Sequence, residues 1–333
     1  MAQAESTNLV GRDLDLVLLA LATHTPLLGV GALDLDHRAP MLTPPPGLVA
    51  DLRERPLPVL VHLVPDGNPV GSPNHDLGTE LGYGPSVSTL NIEPVPCLSD
   101  NYAYLITNDQ DQVWIVDPSE AEPVQRHLSE RNLQLQGILA THHHPDHVDG
   151  IKQLQLDNQV SGSNPCWVAG HASDKGRIPC QSHFIDAPLE TFVTTEITVA
   201  GRPVQAMHIP GHTTGAIAWK IDDDVFTGDT LFSAGCGRLF EGTAEQMYAS
   251  LQSIVRLDAN TRLWFGHEYT ASNLRFASSE EPKNTQIAEL LKQNRKCTTP
   301  TTVAQERAIN PFVRAKDGQD LAEIRHRKDK FKG

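Results

Sequence analysis

From residue 92 onward the chain alternates short apolar runs with polar turns, a pattern that predicts strands interleaved with helices. Residues 102–106 and 113–116 read as two strands, with Asn108-Asp109-Gln110-Asp111 turning between them. Asp117-Pro118-Ser119 then opens a helix that runs to about residue 131, with Ser119 as its N-cap. Residues 136–140 form a buried strand, a short helix starts near Gly150, and 165–169 form another strand. A further strand pair spans 195–207, and 216–221 with 225–227 make a hairpin turned by Asp222-Asp223-Asp224. Met247, Leu251, Ile254 and Val255 carry helical spacing across 243–257, and 263–265 is a short buried strand. Beyond Tyr269 the pattern is helical and polar, over 273–279, 282–297 and from 322 to the end. This succession is that of an α/β protein: two sheets covered by helices, with a helical domain appended.

The first ninety residues have a different texture. They hold about half of the 24 prolines and no lysine. Pro44-Pro45-Pro46 and the Gly/Pro/Asn-rich run 65–85 read as irregular chain, and only 57–64 has the pattern of a strand. The apolar run 16–33 is broken by His24, Thr25 and Pro26, too short for a membrane span, and Asp13 and Asp15 stand where a signal peptide needs positive charge. Residues 1–90 are therefore expected to be an irregular extension ahead of a domain at 91–266 and a helical domain at 267–333.

The chemistry is concentrated in Thr141-His142-His143-His144-Pro145-Asp146-His147, at the end of the strand 136–140. Three imidazoles and a carboxylate this close compete for space and protons, and a divalent cation removes that conflict. Three later turns add the same residue types at strand ends: His212 in Gly211-His212-Thr213, Asp229 in Gly228-Asp229-Thr230, and His267 in Gly266-His267-Glu268. Singly, each is more often a buried polar group or a cap. Together His142, His144, Asp146, His147, His212, Asp229 and His267 are too many for one tetrahedral zinc and suit two adjacent metals with a carboxylate between them. Such a pair activates a water for hydrolysis of a carbonyl or phosphoryl ester.

Composition narrows the partners. Across 333 residues, 39% are apolar and 20% charged, the balance of a globular protein, and the formal charge of −14 argues against nucleic-acid binding. Cys97, Cys166, Cys180, Cys236 and Cys297 are odd in number and lack CxxC spacing, as expected of reduced thiols in a cytoplasmic protein.

These motifs resemble the metallo-β-lactamase fold superfamily, and within it the glyoxalase II enzymes, the hydroxyacylglutathione hydrolases. The resemblance is carried by residues 98–102, the His loop, 226–232, 234–243, 266–270 and Asn310-Pro311-Phe312, and spans about 92–332. It implies a four-layer αββα sandwich with a C-terminal helical domain. By position, His142, His144 and His212 would hold one metal, Asp146, His147 and His267 a second, with Asp229 bridging. It implies two divalent ions per chain, zinc first, with iron or manganese suiting the same ligands. The implied substrate is a glutathione thioester, typically S-D-lactoylglutathione, cleaved to glutathione and D-lactate by a monomer that needs neither nucleic acid nor membrane. Asp146 and Asp229 would orient ligands and move protons. Arg238, Tyr269, Arg325 and Lys328 would meet the glutathione, with Phe240 and His267 beside them. Phe240 stands where many relatives carry tyrosine, Ala216 replaces a frequent histidine, and His208 is extra. Persulfide dioxygenases of the same fold, which use a single iron, are the alternative; a binding module without turnover is a second, and no candidate ligand is missing to favour it.

Overall fold

In the computed structural model, residues 89–160, 166–293 and 295–333 are described; the expected strand at 57–64 and nearly all of the expected extension 1–90 lie outside them. One sheet is built in strict chain order from β1 (Asn91–Cys97), β2 (Asn101–Thr107), β3 (Gln112–Val116), β4 (Gln134–Leu139), β5 (Trp167–His171) and β6 (His183–Ile185). β1, β2 and β3 pair antiparallel, and β3 to β6 run parallel. Parallel neighbours need crossovers. α1 (Ala121–Glu130) supplies the first, and α2 (Pro145–Val148) with α3 (Ile151–Val160) the second.

The second sheet orders as β14 (Thr301–Thr302), β13 (Arg262–Phe265), β10 (Asp224–Gly228), β9 (Ile217–Ile221), β8 (Arg202–His208) and β7 (Val193–Val199). α4 (Ala244–Val255) crosses from β10 to its parallel partner β13. It is opened by Thr243 and Gln246 in a capping box, which satisfies two of the donors a helix start leaves orphaned. The small hairpin β11 (Leu231–Phe232) and β12 (Gly235–Cys236) follows β10. α5 (Thr270–Glu280), α6 (Thr285–Gln293), α7 (Val303–Ile309) and α8 (Gly318–Lys330) complete the chain.

Each sheet buries both faces. Tyr104, Trp219, Phe226, Trp264 and Phe265 fill the space between the sheets. Leu105, Ile115 and Ile138 pack outward against Val124 of α1 and Leu154 of α3. Val225 and Leu263 pack outward against Met247 and Leu251 of α4 and Leu321 of α8. The result is the expected four-layer αββα sandwich with helices at its C-terminal end. At one edge of the layers the sheets are stitched by backbone hydrogen bonds: Tyr102 N to Gly266 O at 2.9 Å, and Ile217 N to Thr141 O at 2.9 Å.

Two expected boundaries move. Ser119 is not a cap: α1 starts at Ala121 after Glu120, and Ser119 is buried with an unpaired hydroxyl. Asp117, at φ 48°, turns its carboxylate to Thr141 instead, and the Pro118 carbonyl accepts from Gly150 N, so the helix begins later. The helix expected over 282–297 is confined to Thr285–Gln293, where Asn284 Oδ1 accepts from the Gln286 and Ile287 amides.

Candidate metal centre

All seven sequence-predicted ligands meet at the stitched edge. β4 runs out into the loop bearing His142, His144, Asp146 and His147; the ends of β8, β10 and β13 deliver His212, Asp229 and His267. Two groups form, each with its donor atoms within 4.8 Å of one another: His142, His144 and His212, and Asp146, His147 and His267. Asp229 lies between them. Its Oδ2 is 3.4 Å from His212 Nε2 and 3.3 Å from His267 Nε2, and its Oδ1 is 3.3 Å from His147 Nε2. Asp117, His142 and His147 form a third such group.

Glycines permit this convergence. Gly228 has φ 49°, and a Cβ there would fall 2.3 Å from the Thr141 hydroxyl. A Cβ on Gly266 would lie 2.4 Å from Asp229 Oδ1.

The outer hydrogen bonds decide which ring nitrogens face inward. The Arg238 carbonyl can only accept, so His212 Nδ1, 2.8 Å away, carries the proton and leaves Nε2 bare. Carboxylates hold the Nδ1 proton of His147, 3.1 Å from Asp117 Oδ2, and of His267, 2.8 Å from Asp100 Oδ1, so Nε2 is the nitrogen each ring presents inward and must deprotonate to ligate. Thr141 gives its hydroxyl proton to Asp117 at 2.6 Å and so accepts from His142 Nδ1 at 3.1 Å. The inward nitrogens crowd one another: His142 Nε2 to His144 Nδ1 at 3.1 Å, His212 Nε2 to His144 Nδ1 at 3.0 Å, and His147 Nε2 to His267 Nε2 at 3.3 Å.

That arrangement fits divalent metal ions. Several imidazole nitrogens converge on one spot, and their spacings are near the ~3.4 Å edge of a tetrahedron with bonds of ~2.1 Å. Asp229 Oδ1 is buried and has no hydrogen-bond partner, an orphan that ligation satisfies.

The two groups differ in charge. Burial pushes the imidazoles of His142, His144 (to about 4) and His212 down, so that group is neutral and ready to ligate. Burial would also lower His147 and His267, but carboxylates outweigh it. Asp229 and Asp117 raise His147 to about 10, and Asp229, Asp146 and Asp100 raise His267 to about 11. The hydrogen bond from His267 holds the Asp146 carboxyl well below its usual range. Asp229 is held low as well: its burial is outweighed by His147 and His267.

The centre opens into a cleft of about 610 Å³, whose walls include Arg238, Phe240, His267, Tyr269, Arg325 and Lys328. Every sequence-predicted substrate residue therefore faces one space. Tyr269 stacks on His267, centroids 4.7 Å apart and planes within 5°. Phe240, 62% exposed, meets the His212 ring edge to face, with centroids 5.2 Å apart. Arg325 is buried, donating to the Cys236 carbonyl at 2.9 Å and to Asp329 Oδ1 at 3.0 Å. Lys328 donates to Ser272 O at 3.0 Å; burial, then Arg325, lowers it to about 8. Of the remaining residues, Ala216 is core, and His208 stacks on His171 at 4.1 Å and bonds the Thr214 carbonyl.

Residues 99–267 match the metallo-beta-lactamase superfamily, and residues 268–331 match the hydroxyacylglutathione hydrolase C-terminus. The hydroxyacylglutathione hydrolase of Shewanella baltica (strain OS223) is 40% identical over 71% of this chain and 89% of its own length. The chain belongs to the hydroxyacylglutathione hydrolase family. The enzyme of that name from Cupriavidus metallidurans is 41% identical over 68% of this chain and 88% of its own. Among solved structures, ETHE1 from Myxococcus xanthus superposes with a TM-score of 0.52 at 25% identity, covering 71% of this chain and 90% of that one. Among the described residues no helix is long and apolar enough to cross a membrane.

Sequence reasoning missed Asp117 as part of the centre and used Asp100 and Asn101 only as family motif. Asn101 Nδ2 donates to the Asp146 carbonyl at 2.8 Å and lies 3.2 Å from its Oδ2. Asp117 follows an apolar strand as Asp229 does, a signal that could have found it.

Proposed function

We propose that this protein is a binuclear-metal thioesterase that hydrolyses S-(2-hydroxyacyl)glutathione, typically S-D-lactoylglutathione, to glutathione and D-lactate. The observation that supports it best is the placing of two ligand groups, joined by Asp229, at the floor of a cleft with Arg238, Arg325 and Lys328 on its walls. His142, His144 and His212 would hold one ion, Asp146, His147 and His267 the other, and Asp229 both. Zinc suits the imidazole-rich set, with iron or manganese accepted by the same donors. When bound, the pair would supply Lewis acidity and a water acidified toward neutral pH.

The chain's own part is to bind, orient and move protons. Arg238, Lys328 and Arg325 would draw the glutathione carboxylates in, against a net charge of −14 that otherwise repels them. Burial raises the Tyr269 phenol, which stays protonated and can donate to the peptide part. Phe240 walls the acyl side without offering a hydrogen bond. Water adds to the thioester carbon, the C–S bond breaks, and sulfur leaves as thiolate. Asp146 and Asp229, both held ionised, would orient the imidazoles around them and could assist proton movement by accepting hydrogen bonds.

The five free cysteines support a reducing compartment such as the cytoplasm, and the working unit proposed is a monomer. A single-iron dioxygenase would leave Asp146, His147 and His267 without a task. The deciding experiment follows S-D-lactoylglutathione at the thioester absorbance while metal is counted on the same preparation. Two metals per chain with hydrolysis are expected; one iron with oxygen consumption, or full turnover by metal-replete Asp229→Ala, overturns the reading.

A further inference from the structure

Glu306, on α7, is fully buried and lies outside every group placed above. Its carboxylate accepts from three donors: Thr301 Oγ1 at 2.7 Å, Ala234 N at 2.9 Å and Asn310 Nδ2 at 2.9 Å. Asn310, equally buried, also donates to Gly235 O at 2.9 Å and Phe232 O at 3.3 Å, and its Oδ1 accepts from Phe312 N. The pair thus grips the hairpin β11–β12 at its turn, where Ala234 holds φ 54°, a conformation that a residue with a Cβ keeps only under constraint.

What lies on that hairpin is the pocket. Phe232 sets its ring 5.3 Å from Tyr269. The Cys236 carbonyl takes Arg325, and the Arg238 carbonyl takes His212. Gly237 passes so close that a Cβ would fall 2.0 Å from the Asp229 carbonyl. A carboxylate is an expensive way to fill a core, and an apolar side chain of this size would pack as well. Its three donors give the reason for it.

We infer that Glu306, with Asn310, is a positioning residue for the thioester pocket, holding the turn 233–235 so that residues 236–238 lie against Asp229, His212 and Arg325. The inference rests on the cleft's being the thioester site.

The test compares full-length, metal-loaded wild type with Glu306→Ala, Glu306→Gln and Asn310→Ala. Three readouts are taken: amide hydrogen exchange, metals per chain, and KM and kcat for S-D-lactoylglutathione. In Glu306→Ala and Asn310→Ala, exchange should quicken over 231–238. KM should rise about tenfold as the turn loses its hold, with two metals kept and kcat within about twofold. In Glu306→Gln the amide oxygen can take both N–H donors while its NH₂ gives to the Thr301 hydroxyl, so exchange and KM should return to wild type. Unchanged KM in both alanine variants, exchange quickened equally across both sheets, or a glutamine variant as defective as alanine overturns the assignment. If wild type itself leaves the thioester intact, the proposed function fails; exchange over 231–238 in the alanine and glutamine variants still decides whether Glu306 holds the hairpin.

Discussion

Asp117 Oδ2 sits 3.1 Å from His147 Nδ1, although 30 residues separate them, and the same oxygen receives the Thr141 hydroxyl at 2.6 Å. One buried carboxylate therefore sets the ring orientation of His147 and, through Thr141, of His142, which serve different metals in the proposed assignment. Partners of this kind typically change metal affinity by about 10–100-fold when removed. Asp117→Ala should lose metal on dialysis against a weak chelator that wild type withstands, read as metals per chain. Retention of both metals with full hydrolysis would show that Asp117 orients nothing.

The metal-free centre should release protons as it loads. His147 and His267 are raised to about 10 and about 11 by their carboxylates, so both are protonated at neutral pH, and ligation must displace those protons. Affinity should therefore fall as pH falls. Calorimetric titration of zinc into apoprotein in buffers of different ionisation enthalpy would count the protons; a pH-independent affinity between pH 6 and 8 contradicts the charge pattern.

Lys328 has the opposite sign. Burial lowers its ammonium to about 8, so the charge offered to a glutathione carboxylate is present below that pH and lost above it. KM for the thioester should rise as pH passes 8 while kcat changes less. Lys328→Arg, whose guanidinium stays charged, should flatten the rise.

Glu306 predicts a stability effect. Burial raises its carboxyl from the ordinary 4.5 to about 7, so the folded state holds the proton more tightly than the unfolded chain. The associated stabilisation is present below pH 4.5 and is lost as pH climbs through 7, a change of about 3 kcal/mol at most. Glu306→Gln removes this group's share of the pH dependence. Thermal melts at pH 5 and 8 should differ less for the variant than for wild type, and equal differences would refute the burial argument.

Two sheets covered by helices were legible because the central strands announce themselves in consecutive apolar residues, as in 113–116 and 263–265, whereas β1, β6 and β14 do not. The meeting of the seven candidate ligands was legible because Gly-flanked turns and the His loop concentrate them in short stretches. Asp117 and Glu306 were not, and the reason is distance: Asp117 acts on Thr141, 24 residues away, and Glu306 on Ala234, 72 away. The place of Asp117 at a strand's end hints at a site but not at Thr141, and the neighbours of Glu306 give no hint. The hairpin β11–β12 also escaped, since two-residue strands carry no periodicity.

The ligands come from both sheets: the His loop leaves the first, while His212, Asp229 and His267 leave the second. A bound metal pair is thus a clasp across the seam. Prising the layers apart at that edge means breaking ligation as well as backbone bonds, so free metal at a hundred times its Kd would add about 2.7 kcal/mol to folding. Neither half of the sandwich, made alone, holds either of the two proposed donor sets whole. The proposed centre is complete only once the two sheets have found each other.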